Sequence, residues 1–282
     1  MTPMTMDEDF AVAGRVNDGR SLLDLLELEK TGERRFTANY VFPDPYPMFG
    51  GQVTAQALRA AGITVADGRP PHSLHGYFIR PGNASVPTEL DVEVERQGRA
   101  FSTCRVTARQ SGKTIFIMSA SFHGGAEGPT RQCVGMPVSA GLEKSGEWRI
   151  PRLFSFEGRA AEQDFPHDEM RTRFWARCTA DLASDHLLNA CALAYFADIT
   201  NGVAHFDTGT HSAGASLDYS VWFHRPVRAD DWMLLDLVPH TVGHGRGWYT
   251  GSVFLADGTL AASLAQESLF LEGPARYFIH GC

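Results

Sequence analysis

Apolar and polar positions alternate with the two-residue period of half-buried strands along much of the chain, and in two places the period lengthens to that of a helix. RRFTANYVF (34–42) reads as a strand, DPYPMFGG (44–51) as a turn-rich link, and QVTAQALRAAGITV (52–65) as a helix. Strands follow in HSLHGYFIRPG and TELDVEVER, where Leu90, Val92 and Val94 alternate with Glu89, Asp91, Glu93 and Glu95. AFSTCRVTARQSG and KTIFIMSASFHGG continue the series through a Ser-Gly turn. The next stretch, 128–158, is rich in Gly and Pro and has no period, so it reads as a crossing between domains.

The same order then returns. A strand begins near MRTRFWARC, DHLLNACALAYFADIT (185–200) predicts a helix, and ASLDYSVWFHRPV, DWMLLDLVPH, GWYTGSVFLADG and TLAASLAQESLF predict strands. Three anchors register the copies: Gly62 with Asp198, Arg80-Pro81 with Arg225-Pro226, and the turn at Gly112 with that at Gly258. The first pair is offset by 136 positions and the second by 145, so the second copy carries about nine extra residues before its Arg-Pro strand. One helix followed by a curved antiparallel sheet, written twice, predicts an α+β fold in which a sheet wraps a helix in each half. Pairing the exposed sheet edges of the two halves gives one continuous sheet, which is a physical reason for fusing them. The expected boundaries are a disordered lead-in over 1–20, modules over 21–125 and 169–275, a crossing over 126–168 and a tail over 276–282.

Composition narrows the function classes. The 282 residues are 43% hydrophobic and 21% charged, ordinary for a globular protein. No apolar run reaches the roughly 18 residues of a membrane span, and the acidic N-terminus is unlike a secretion signal, so a cytoplasmic protein is expected. The formal charge of -8 argues against nucleic acid as a partner. Five scattered cysteines (Cys104, Cys133, Cys178, Cys191, Cys282) form no CxxC, which argues for reduced thiols. His72 with His75, and His240 with His244, have ligand-like spacing without a third ligand, so no metal site is expected. GASLD around Ser216 only grazes the GxSxG of a serine hydrolase, and GHGRG at 243–247 precedes a strand, where a dinucleotide fingerprint needs a helix.

FGGQVTAQALRAA, HSLHGYFIRPG, FSTCRVTARQSGKTIFIMSASF, WFHRP and LAASLAQE together resemble the type II acyl-CoA thioesterases, the TesB-like family of double hotdog proteins, over about Ser21 to Leu271. The resemblance implies hydrolysis of medium- to long-chain acyl-CoA without a cofactor, and association into a dimer or larger homo-oligomer. It also implies a catalytic Asp, Thr or Ser, and Gln in the second hotdog. Matched motif by motif, these fall on Asp198, Ser216 and Gln266.

The residues themselves give independent reasons to notice two of the three. Asp198 shares the stripe of Leu187, Cys191 and Ala194, where a carboxylate facing the core demands hydrogen-bond partners or a raised pKa. Its place in the last helical turn would further disfavour the ionised form. Gln266 shares its strand face with Leu260, Ala262, Leu264 and Phe270. The first copy serves as a control, with Gly62 opposite Asp198, Pro71 opposite Ser216 and Ala120 opposite Gln266. Gly50 and Gly51 are candidates for close substrate approach and for an oxyanion-binding helix N-terminus. Met48, Phe49, Tyr77, Phe78, Trp222 and Phe223 are candidate walls for the acyl chain. Two alternatives stay open: a hotdog enoyl-CoA hydratase using Asp198, Asn201 and His205, and a non-catalytic acyl-binding module.

Overall fold

A computed structural model describes residues 21–44, 46–65, 68–137, 142, 146–148, 153–161, 171–198 and 202–273. The expected lead-in over 1–20, the tail over 276–282, parts of the 126–168 crossing, and Asn201 lie outside the described residues. A short helix α1 (Leu22–Leu25), closed by a capping box from Ser21 and Asp24, precedes β1 (Glu29–Lys30) and β2 (Arg35–Ala38). The first long helix, α2 (Gly50–Val65), leads into β3 (Pro71–Phe78), β4 (Thr88–Gln97), β5 (Phe101–Gln110) and β6 (Lys113–His123). Then come β7 (Glu147–Trp148), β8 (Phe156–Ala160) and β9 (Thr172–Cys178). The second long helix, α3 (His186–Phe196), precedes a single 3-10 turn at Ala204–Phe206. The last strands are β10 (His211–Phe223), β11 (Met233–Gly243), β12 (Arg246–Leu255) and β13 (Leu260–Glu272).

All the described strands join one 13-stranded sheet in the order β1-β2-β4-β5-β6-β3-β10-β13-β12-β11-β9-β8-β7. The two halves meet where β3 pairs antiparallel with β10, Leu74 facing Val221 and Tyr77 facing Asp218. This is the double hotdog arrangement: a curved antiparallel sheet around a pair of buried helices. One hydrophobic core runs through both halves, including Leu58, Cys104 and Phe116 from the first and Leu193, Phe196 and Tyr249 from the second. Within the stretch read as a crossing, β8 pairs with β9 and prolongs the sheet. Five residues are too short a run for alternation to stand out against the surrounding Gly and Pro.

The two long helices lie antiparallel and touch at both ends through glycine. A Cβ on Gly51, at the start of α2, would strike the carbonyl oxygen of Tyr195 near the end of α3. A Cβ on Gly62, near the end of α2, would strike the side chain of Leu187 at the start of α3. Helix α3 is shorter than the pattern suggested: Asp185 caps it by accepting from the amides of Leu187 and Leu188, and Ala197 closes it after Phe196.

The strand registers carry the same relation in each half. Leu74 faces Ala120 in the first, and Tyr219 faces Gln266 in the second. Pro71 likewise faces Phe122, as Ser216 faces Ser268.

Candidate active site

Three side chains from three elements converge behind the central strands. Asp198 follows the C-cap of α3 and is 6% exposed; Gln266 stands in the middle of β13 at 1%. Ser216 sits on β10 between two register shifts, one from Ala213 and one to Asp218, and this local irregularity gives it a setting the regular ladder does not. The Ser216 hydroxyl donates to Asp198 Oδ1 at 3.2 Å. Gln266 Nε2 donates to the same oxygen at 2.6 Å and also to Ser216 Oγ.

A third donor to the carboxylate comes from the other half of the molecule. The backbone N–H of Gly51 donates to the Asp198 carboxylate. At Gly50 an added Cβ would lie 2.5 Å from Asp198 Oδ2, so the missing side chain is what lets the carboxylate reach this helix start. This corrects the electrostatic expectation. Asp198 is past the end of its own helix and at the positive N-terminus of α2, where partial charges favour the anion. Burial nevertheless dominates and pushes its pKa up from 3.8 to about 6, with Gln266, Ser216 and the Gly51 amide all pulling the other way. The Gly51 amide, expected as an oxyanion donor, here serves the carboxylate.

Gln266 has a second set of neighbours that sequence reasoning missed. It faces Tyr219 of β10 on one side and Tyr249 of β12 on the other, both 0% exposed. Tyr249 Oη donates to Gln266 Oε1. The Tyr219 hydroxyl is buried with no hydrogen-bond partner among the described residues. The corresponding row of the first half is Leu74, Ala120 and Cys104. An entire cross-strand row has therefore changed from apolar to polar, and the internal register that paired Gln266 with Ala120 contained the signal for both tyrosines.

The other expected residues divide by which way they face. Met48 and Phe49 precede α2 at the site's end of the helix, and the Phe49 ring packs edge-on against Tyr195 at 5.3 Å. Phe78 reaches the same end, its ring about 3 Å from where a Gly50 Cβ would be. Tyr77 and Trp222 are not brought to the site: strand alternation turns them to the outer face, where they are 59% and 38% exposed. Phe223 also lies apart, lining a recess with Pro70, Pro71, His186 and Ala190 at the far end of α3.

Three of the histidines singled out in the sequence meet hydroxyl groups. His72 Nε2 meets Ser121 Oγ, His240 Nε2 meets Thr250 Oγ1, and His205 Nε2 meets Thr172 Oγ1. Among the described residues no cluster of three or more His, Cys, Asp or Glu could hold a metal ion.

Family models match most of the chain. Residues 42–123 match the acyl-CoA thioesterase N-terminal domain, and residues 123–270 match the acyl-CoA thioesterase C-terminal domain. Acyl-coenzyme A thioesterase 8 of Rattus norvegicus is 31% identical over 292 residues, spanning 91% of this chain and 91% of that protein. Acyl-CoA thioesterase 2 of Haemophilus influenzae is 33% identical, over 88% of this chain and 96% of its own length. Among solved structures, the acyl-CoA thioesterase II TesB2 of Mycobacterium marinum superposes with a TM-score of 0.80 at 33% identity, covering 90% of this chain and 99% of its own.

Proposed function

The chain belongs to the acyl-CoA thioesterase family and hydrolyses acyl-CoA thioesters; on that footing we propose that Asp198, Ser216 and Gln266 activate the attacking water and that the acyl group is medium to long. One observation carries the mechanism: a buried carboxylate, pushed to about 6, is held by three donors from two strands and the opposite helix. Such a group is ionised at neutral pH yet basic enough to accept a proton, which is the compromise a general base needs.

In the proposed step, a water between these groups gives one proton to Asp198 while its oxygen bonds to the thioester carbonyl carbon. Ser216 and Gln266 Nε2 fix the water's orientation, so a reaction between two molecules becomes one within a bound complex. The tetrahedral intermediate collapses by breaking the carbon–sulfur bond, and the proton on Asp198 passes to the departing sulfur. Fatty acid and CoA thiol leave, and no covalent bond to the protein forms. Met48, Phe49 and Phe78, gathered at the start of α2, support an apolar path for the acyl chain. An assay of CoA thiol release across acyl chains of four to eighteen carbons tests the preference, with turnover expected to be lowest for the shortest chains.

Association into a dimer or larger assembly belongs to the same proposal. Tyr77 and Trp222, exposed on neighbouring strands of the outer sheet face, support it. Among the described residues, no helix is long and apolar enough to cross a membrane. A cytoplasmic setting is supported by Cys104, Cys133, Cys178 and Cys191, which are all free thiols.

A further inference from the structure

We infer that Tyr249 is a positioning residue for hydrolysis, fixing which end of the Gln266 amide faces the water and Asp198. The inference rests on the water-holding role given to Gln266 above. A glutamine amide has a donor end and an acceptor end of nearly equal size, so shape alone does not choose between its two orientations. Only one of them is useful here. With Nε2 inward, Gln266 donates to Asp198 and Ser216; turned over, its carbonyl oxygen would oppose the carboxylate.

The direction is set from the backbone outwards. The N–H of Gly202 donates to the Tyr249 oxygen, which leaves the phenolic proton pointing at Gln266 Oε1. Burial and the nearby negative charge of Asp198 hold the Tyr249 pKa well above its ordinary value, so this proton is retained. The ring is held just as firmly: Tyr249 is 0% exposed, and a Cβ on Gly202 would run into it. The result is a one-way chain of donors, Gly202 to Tyr249 to Gln266 to Asp198, in which each bond polarises the next. The first half has Cys104 in the place of Tyr249 and Ala120 in the place of Gln266, so hydroxyl and amide occur together or not at all.

The test is a double-mutant cycle of Tyr249→Phe and Gln266→Ala, read by kcat, KM and the pH dependence of kcat/KM, with circular dichroism and thermal unfolding on each protein. Tyr249→Phe should lower kcat by about tenfold, the factor matching a hydrogen bond of ordinary strength, with KM little changed. The acid limb should also move to higher pH, because the Gln266 donor that favours the Asp198 anion is no longer held in place. Adding Tyr249→Phe to Gln266→Ala should then cost nothing further. A folded Tyr249→Phe protein with unchanged kcat and acid limb overturns the inference, as does an equal loss in the Gln266→Ala background. Full activity of Gln266→Ala overturns the water-holding reading itself, a result distinct from failure at Tyr249 alone. Should Tyr249→Phe not fold, 3-fluorotyrosine at position 249 keeps the packing and strengthens the donor. The acid limb should then move to lower pH, and an unmoved limb overturns the inference.

Discussion

The backbone amide of Gly51, at the start of the first long helix, donates to the carboxylate of Asp198, just past the end of the second. The base thus depends on both halves of the fold, although its other two donors come from the second half alone. The opposite end of the helix pair shows the contrast. Gly62, the counterpart of Asp198, receives the side chain of Leu187, so the related position is packed with hydrocarbon.

Substitution of the two adjacent glycines should therefore separate catalysis from packing. Gly50→Ala places a methyl group 2.5 Å from Asp198 Oδ2 and should lower hydrolysis by displacing the carboxylate, with a modest change in melting temperature. Gly51→Ala drives a methyl group into the Tyr195 carbonyl oxygen and should destabilise the protein by about 1–3 kcal/mol, the range for overpacking. Thermal unfolding and thiol release, measured on both variants, check the separation.

The raised pKa of Asp198 predicts two pH dependences. Hydrolysis needs the anion, so kcat/KM should fall as pH drops through about 6. Stability runs the other way. The folded protein holds this proton up to about pH 6, whereas the unfolded chain releases it near 3.8, so this group's contribution to stability falls as pH rises across that window. Denaturant titrations from pH 4 to 7 should show this decline in the wild type and a smaller one in Asp198→Asn. Equal slopes would contradict the buried ionised base.

Gln266 and Ser216 should respond according to the groups they contribute. Gln266→Ala recreates the alanine found at the matching place of the first half, and should fold while losing hydrolysis. Ser216→Thr keeps the hydroxyl and should stay active. Ser216→Ala loses a donor to Asp198 and should lower kcat by about tenfold. Steady-state kinetics on the three purified variants check the order Thr above Ala at 216.

Much of this architecture was legible in the sequence because period and repetition are local signals. The helix over 52–65 and the strand over 88–96 match α2 and β4 to within two residues. Asp198 and Gln266 stood out because each is polar on an otherwise apolar face, and the first copy supplied the apolar version. Tyr219 and Tyr249 did not stand out, since a tyrosine on a core-facing strand position is unremarkable until its hydroxyl is followed. The Gly51 amide was legible only as a free helix start, because its contact with Asp198 is set by how two helices far apart in sequence pack. Tyr77 and Trp222 were misplaced for the opposite reason: aromatic character drew attention, while strand alternation sends both to the outer face.

Thiol chemistry offers an independent check on the mechanism. Burial pushes the Cys104 and Cys178 thiols up to about 11 and raises Cys191 further, which makes all three poor nucleophiles. Cys133 is exposed. Treatment of the native protein with a small alkylator should label Cys133 and leave hydrolysis largely intact. Stoichiometric inactivation that substrate prevents would point to a thiol nucleophile in place of activated water.

Asp198→Asn tests the central claim most directly. The substitution keeps the size and one acceptor oxygen for the donors around it, and removes only the proton-accepting anion. Acyl-CoA hydrolysis, followed as free thiol at pH 7.5, should fall by at least about 100-fold, the scale of general-base catalysis, with a melting temperature equal to or above that of the wild type. Undiminished hydrolysis by a folded Asp198→Asn protein would contradict the claim that this buried carboxylate activates the water.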